Sequence, residues 1–291
     1  MLLRLLVTNW IQGQAKQKLQ GSVTDYLSQA TSQNAEDPES QIDTVDVAII
    51  MALGVEAGGL CDLLENKVTI AGPGFKEHVG YLGGTAVSLV ESGVGAKSAA
   101  NATKLILQSR QPKSVVSAGF ATGLIAEARK GHIVMANEVT NTAGESQPIP
   151  FAISEEEAAG RKGLHVGRLL TVNKMISKVK QKQELAEQHQ AIAMDMETAA
   201  VAKICAEHQV RFMSVRIITD GLMDQLPRHL EHMLKQKKTT SMLGAAASAL
   251  INNPSSIKEM WNMRDVAMKA SDRLARFLTG VIEQLAEPTD Q

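Results

Sequence analysis

The chain has 291 residues, a formal net charge of -1, and 44% hydrophobic and 21% charged residues, the balance of a globular protein with one large α/β domain or two small ones. No basic patch stands out, which argues against nucleic acid as a partner. No apolar run reaches the ~18 residues needed to span a bilayer.

Aromatic residues make up only 3%, so the core has to be built from Val, Ile, Leu, Ala and Met. The two cysteines, Cys61 and Cys205, lie in helix-like patterns and form neither a metal-ligand spacing nor a disulfide framework. A reducing, cytoplasmic setting is the simple expectation. The opening MLLRLLVTNWIQ is interrupted by Arg4 and lacks a small-residue cleavage site, so it does not read as a signal peptide.

Residues 1 to about 30 carry Leu2, Leu5, Leu6, Trp10, Leu19, Val23, Tyr26 and Leu27 at the spacing of an amphipathic helix. Docking on protein is favoured for this arm because its polar face is not strongly basic; peripheral contact with a membrane surface is the alternative. Residues 31–44 are polar, contain Pro38 and read as a linker.

Asp46 to Leu53 is, after its opening Asp46, a continuous apolar run, the pattern of a strand buried on both faces. It leads into Gly54-Val55-Glu56-Ala57 and a helix through Leu64. Short strands follow at Val68–Ala71 and Val79–Leu82, and after the Gly83-Gly84 turn at Thr85–Val90. Glu91-Ser92-Gly93-Val94-Gly95 is a glycine turn opening a helix over Ala96–Ser109. The Gly93–Ser98 segment is similar to a phosphate loop, but the glycine spacing fails. The better reading is a helix N-terminus whose backbone N–H groups, including that of Gly93, face a ligand.

Ser114–Ala118 is the next strand, ending in Gly119-Phe120-Ala121-Thr122-Gly123, which lacks a dinucleotide fingerprint. A strand is expected at Gly131–Ala136, and a polar loop over 141–163 with an acidic cluster at Glu155–Glu157. Another strand is expected at Arg168–Val172, then a charged, solvated helix over Met175–His189. Ala191–Met194 runs into Asp195 and Glu197, a helix follows over Ala199–His208, and the strand Phe212–Ile218 ends in Thr219-Asp220-Gly221. From Arg228 onward the chain reads as helical, with a break at Asn252–Ser256. His229 and His232 face solvent more plausibly than a metal, and no metal or cofactor is expected.

Three carboxylates therefore follow apolar strands: Glu56, Glu197 and Asp220. Each alone is explained by helix capping. All three at one sheet edge are costly for stability and point to a ligand crevice. Asp195 reads as a capping acid.

Six stretches, in order, carry a family resemblance: Ile49–Leu53 with Glu56; Glu91–Gly95; Ser117–Leu124; Gly131–Val134; Met194-Asp195-Met196-Glu197; and Val215–Asp220. Together they resemble the nucleoside phosphorylase/nucleosidase superfamily, most of all the methylthioadenosine/S-adenosylhomocysteine nucleosidase branch, over roughly 46 to 235. The resemblance implies a three-layer αβα sandwich around a mixed, twisted sheet. It also implies a homodimer acting on a small nucleoside. The expected organisation is a helical arm and linker over 1–45, a catalytic domain over 46–235, and a helical C-terminal extension over 236–291 packed on that domain.

The resemblance implies roles residue by residue. Asp220 protonates or hydrogen-bonds the purine N7, Glu56 positions and deprotonates the attacking water, and Glu197 grips the ribose hydroxyls with Met196 packed on the sugar. The backbone of Gly119, Phe120, Ala121 and Thr122 lines the base and ribose pocket. Met175 stands where the family usually stacks a Phe, and His132 where it usually has an Asp. Proton delivery at neutral pH requires a raised carboxyl pKa, so an apolar wall of Ile217, Ile218 and Leu222 is expected around Asp220. Gly54–Gly59 and Gly119–Gly123 contain no Arg or Lys, so phosphate would lack charge-assisted donors and water is the better nucleophile. The implied reaction is release of adenine from an adenosine-type nucleoside. Phosphorolysis, a large adenosyl-lipid substrate matching the long tail, and a non-catalytic nucleoside binder are the alternatives.

Overall fold

The structure is a computed structural model that describes residues 42–72, 74–150, 153–224 and 254–286. The expected arm over 1–30, the expected helix after Arg228 as far as residue 253, and His229 and His232 lie outside the described residues.

Strand β1 (Val47–Met51) is buried at every position. It lies parallel between β4 (Thr85–Glu91) and β5 (Ser114–Gly123). Its side chains alternate between two cores, as the period of two demands. Ala48 and Ile50 join one apolar cluster and Val47, Ile49 and Met51 the other. This alternation makes β1 the middle of a sandwich. On one side of it, β3 (Phe75–Leu82) and β2 (Glu65–Gly72) add antiparallel strands beyond β4.

On the other side the sheet closes on itself. Strand β5 pairs parallel with β10 (Arg211–Asp220) and, at its end, antiparallel with β9 (Ala193–Asp195). Strand β8 (Leu164–Thr171) joins β9 to β6 (Ile133–Asn141), and β6 returns antiparallel to β10. The short β7 (Ser146–Pro148) pairs with β6.

Helices cover both faces. Helices α1 (Gly54–Cys61) and α2 (Ala96–Arg110) follow β1 and β4, α3 (Glu155–Ala159) precedes β8, and α4 (Val179–His189) and α5 (Thr198–Glu207) flank β9. The long α6 (Pro254–Ala286) comes last. Helices α2 and α5 supply Ala102, Ile106, Val201 and Cys205 to the first cluster. Helices α1 and α6 supply Ala57, Leu60, Leu274, Leu278 and Ile282 to the second. Leu274, Leu278 and Ile282 recur every fourth residue and form one helical stripe. The mixed αβα architecture is as expected.

Helix α6 approaches α1 closely. A Cβ on Gly59 would lie 3.0 Å from the Ser271 backbone. The Ser271 hydroxyl accepts from the Gly59 N–H at 2.9 Å and donates to the Glu56 carbonyl at 3.1 Å.

Several local expectations change, among them the bounds of β2, β3 and β6 and the formation of β7 inside the expected 141–163 loop. Strand β5, expected over Ser114–Ala118, runs on to Gly123, because β10 and β9 pair with the segment that follows Ala118. Helix α4 starts at Val179, and it is not merely solvated, since Lys182 and His189 are buried. The strand expected from Arg168 begins at Leu164. Within 141–163 the acidic cluster forms α3, capped by the Ser154 hydroxyl, which accepts from the Glu157 N–H.

Burial pushes the Cys205 thiol up to about 12. Iodoacetamide at about pH 8 should therefore label the partly exposed Cys61 and spare Cys205 until urea unfolds the chain. Peptide mass spectrometry reads the difference, and native labelling of Cys205 would contradict its placement.

Candidate active site

The candidate site is laid out along the last third of β5. Glu56, in the first turn of α1, is 1% exposed. Its Oε2 accepts from the Ala52 and Leu53 N–H groups at 2.9 and 3.0 Å. Its Oε1 accepts from the Phe120 N–H at 2.9 Å. The carboxylate thus caps its own helix and reaches across to β5. Capping and site geometry are one arrangement here.

Next to it lies Arg216, which is 1% exposed. The guanidinium donates to the Ser117 hydroxyl at 2.7 Å and the Thr198 hydroxyl at 2.6 Å, and its NH2 nitrogen is 2.8 Å from Asp195 Oδ2. Asp195 also accepts from the Thr198 N–H and hydroxyl and from the Thr171 hydroxyl. It caps α5 and neutralises the guanidinium. Glu197, two residues on, accepts from the Gly95 N–H at 2.8 Å and so ties α5 to the glycine turn before α2.

Gly119 makes this packing fit. Its φ is +145°, a region open to glycine. A Cβ there would stand 2.7 Å from an Arg216 nitrogen and 2.9 Å from Glu56 Oε1. Glu56 and Arg216 therefore meet over one bare Cα.

Asp220 ends β10 opposite Thr122. Its Oδ1 accepts from the Thr122 hydroxyl at 3.0 Å, and its Oδ2 from the Lys182 ammonium at 3.1 Å. Lys182 is 1% exposed and also donates to the Gly221 and Asp224 carbonyls, both at 2.9 Å. Burial alone would push the Asp220 carboxyl up. The carboxyl nonetheless lies below the usual carboxylate range, and the Lys182 ammonium and the Thr122 hydroxyl both act in that direction. The expected apolar wall with a raised pKa is thus corrected: Ile217 and Ile218 are buried, but a cation faces the carboxylate.

The other expected residues are distributed around this line. Met175 and Met196 pack against one small apolar cluster containing Leu124, Leu170 and Met194. The Phe120 ring is fully buried in the core under α1 and α6, so this residue offers its backbone to the site and not its ring. Ala121 packs into the opposite core. Gly93 adopts a φ of +78° beside Ser98. His132 shares a 2.9 Å contact with His165, whose pKa burial lowers, helped by His132. Among the described residues, no cluster of His, Cys, Asp and Glu is arranged to hold a metal ion.

Two buried cations escaped sequence reasoning. Lys182 sat in a helix whose charge pattern looked solvated. Arg216 sat in a strand whose apolar neighbours drew attention away from it. A lone Arg inside an otherwise apolar strand followed by a carboxylate is a readable signal. Nothing local marks Lys182.

A mixed αβα sheet with buried, mutually braced carboxylates at the C-terminal edge of its parallel strands defines a ligand-binding α/β fold. The chain belongs to the phosphorylase superfamily, whose family model matches residues 46–283. A curated relative, the 5′-methylthioadenosine/S-adenosylhomocysteine nucleosidase of Haemophilus ducreyi, is 29% identical over 196 residues, spanning 60% of this chain and 84% of the relative. The fold is shared with a Helicobacter pylori MTAN mutant crystallised with 5′-methylthioadenosine in the active site, at a TM-score of 0.61, 15% identity and coverage of 82% of this chain and 99% of that one. A futalosine hydrolase mutant of Helicobacter pylori gives the same TM-score of 0.61 at 15% identity, covering 82% and 98%.

Two outcomes test this geometry. Gly119→Ala should displace Glu56 and Arg216 and lower turnover by about 100-fold, the scale of a ~1 Å misplacement; steady-state kinetics beside thermal melting would show it, and an unchanged kcat would refute the close approach. For Asp220 the depressed pKa gives stability that is present above the unfolded value of about 3.9 and is lost as pH falls through the folded value. Without Lys182 the ammonium that favours the charged carboxylate is gone, so this pH-dependent stabilisation shrinks. The melting-temperature gap between wild type and Lys182→Met should widen as pH rises from about 3 to 7.

Proposed function

We propose that the chain hydrolyses the N-glycosidic bond of an adenosine-type nucleoside, releasing adenine. The observation that carries this is the spacing of two carboxylates on one strand: Glu56 is held at the Phe120 N–H and Asp220 at the Thr122 hydroxyl. A nucleoside laid along β5 would have its sugar towards Glu56 and its base towards Asp220. Cleavage builds positive charge on the sugar and negative charge on the departing purine. Glu56 orients and deprotonates the attacking water on the sugar side, and Glu197 binds the ribose hydroxyls. As the bond breaks N7 takes a proton from solvent, and Asp220, accepting hydrogen bonds from the purine edge, stabilises that proton; the proton that Glu56 removes from the attacking water is returned to solvent.

The charge balance favours water over phosphate. Glu56, Asp195 and Glu197 are buried with Arg216, and Arg216 is already matched by Asp195. Glu91, against Gly54 and bonded to His78 at 3.0 Å, adds a further acid near α1. A phosphate dianion would enter against this field. The curated relative's name agrees with the hydrolytic reading.

Adenine should be released from methylthioadenosine, adenosylhomocysteine or 5′-deoxyadenosine in phosphate-free buffer. Strict dependence on phosphate would overturn the hydrolase assignment. Asp220→Asn and Glu56→Gln should each lower kcat by about 10²–10⁴-fold, the range of acid–base contributions. Full activity in either variant would remove that residue from the reaction.

A further inference from the structure

Lys182 is the feature that the proposed reaction does not by itself require. It reaches from α4 to the end of β10, is 1% exposed, and spends its three N–H donors on Asp220 Oδ2, the Gly221 carbonyl and the Asp224 carbonyl. The turn it clasps is closed further by the Gly221 N–H, which donates to Asp224 Oδ2 at 2.7 Å. An ammonium with all three donors committed to protein has none left for a substrate. Its effect on a bound base passes through Asp220.

We infer that Lys182 is a specificity-determining positioning residue, which fixes Asp220 as an acceptor-only carboxylate and so selects a leaving purine that carries an amino group beside N7. A 6-aminopurine presents an N–H donor next to N7, and a protonated N7 presents a second. Both meet the carboxylate as donors. A 6-oxopurine presents a carbonyl oxygen at the same place and sets two acceptors against each other with no proton between them. A protonated Asp220 would relieve that conflict by donating to the carbonyl. Lys182 prevents this, because protonating the carboxyl would leave a buried ammonium without its counter-charge. The neighbouring Thr122 and Thr219 hydroxyls donate to the other oxygen, at 3.0 and 3.4 Å, and orient the same acceptor edge.

The inference rests on the nucleoside reading, and binding of free bases separates the two. Calorimetric titration of the full chain with adenine and with hypoxanthine should favour adenine by about 100-fold in the wild type, within the range that hydrogen-bonding pockets reach. Lys182→Met should cut that ratio at least about tenfold, and Lys182→Arg, which keeps the charge, should restore most of it. A merely structural lysine would weaken both bases together and leave the ratio alone. Lys182→Gln carries the same comparison if the Met variant does not fold. A wild type that binds neither base overturns the nucleoside reading and the inference with it. Equal wild-type affinity for both bases, or an adenine preference kept in Lys182→Met and Lys182→Gln, overturns the role of Lys182 alone.

Discussion

The structure depends on a buried guanidinium that has been matched before any ligand arrives. Arg216 lies in a strand sealed from solvent, and a charge there is tolerated only with a fixed partner and satisfied donors. Asp195 provides the partner, and the hydroxyls of Ser117 and Thr198 take further donors. Because Asp195 also holds the N-terminus of α5, one carboxylate links β9, β10 and α5. The position of Glu197 at the head of α5 follows from that link.

Charge matching also distinguishes the two ends of the site. At the Glu56 end, several acids crowd one guanidinium, an environment that suits positive charge. At the Asp220 end, one acid meets one ammonium, and the pair is anchored to a turn by backbone carbonyls. Strand β5 carries both arrangements two residues apart, at Phe120 and Thr122, so the spacing is set by strand geometry and does not depend on loop conformation. Closure of β5, β9, β8, β6 and β10 into a ring stiffens that strand from both sides.

Much of this was legible in the sequence, for identifiable reasons. The run at Val47–Met51 is apolar at successive positions, which only a strand covered on both faces tolerates, and the carboxylates after β1 and β10 mark the sheet edge. The extent of β5 was not legible. Glycines at 119 and 123 are weak strand formers, and the pairing that carries the strand through them comes from partner strands on both sides, a tertiary effect. The role of Lys182 was hidden for a different reason. Helix α4 reads as polar all round, and which of its lysines turns inward depends on a carboxylate 38 residues away in sequence. The same blindness produced the expectation of an apolar surround for Asp220.

The bridge made by Ser271 has a consequence for how the chain acquires its shape. One hydroxyl joins the carbonyl of Glu56 to the amide of Gly59 across separations of 215 and 212 residues. The apolar side of α1 is completed by Leu274 and Leu278 from the same distant helix. During synthesis, β1 and α1 emerge early and wait for most of the domain before that side is covered. Contacts of such long range are slow to form and leave apolar surface open meanwhile. The helix bearing Glu56 is thus among the last parts to settle. Assembly of the site and completion of the fold are a single late event.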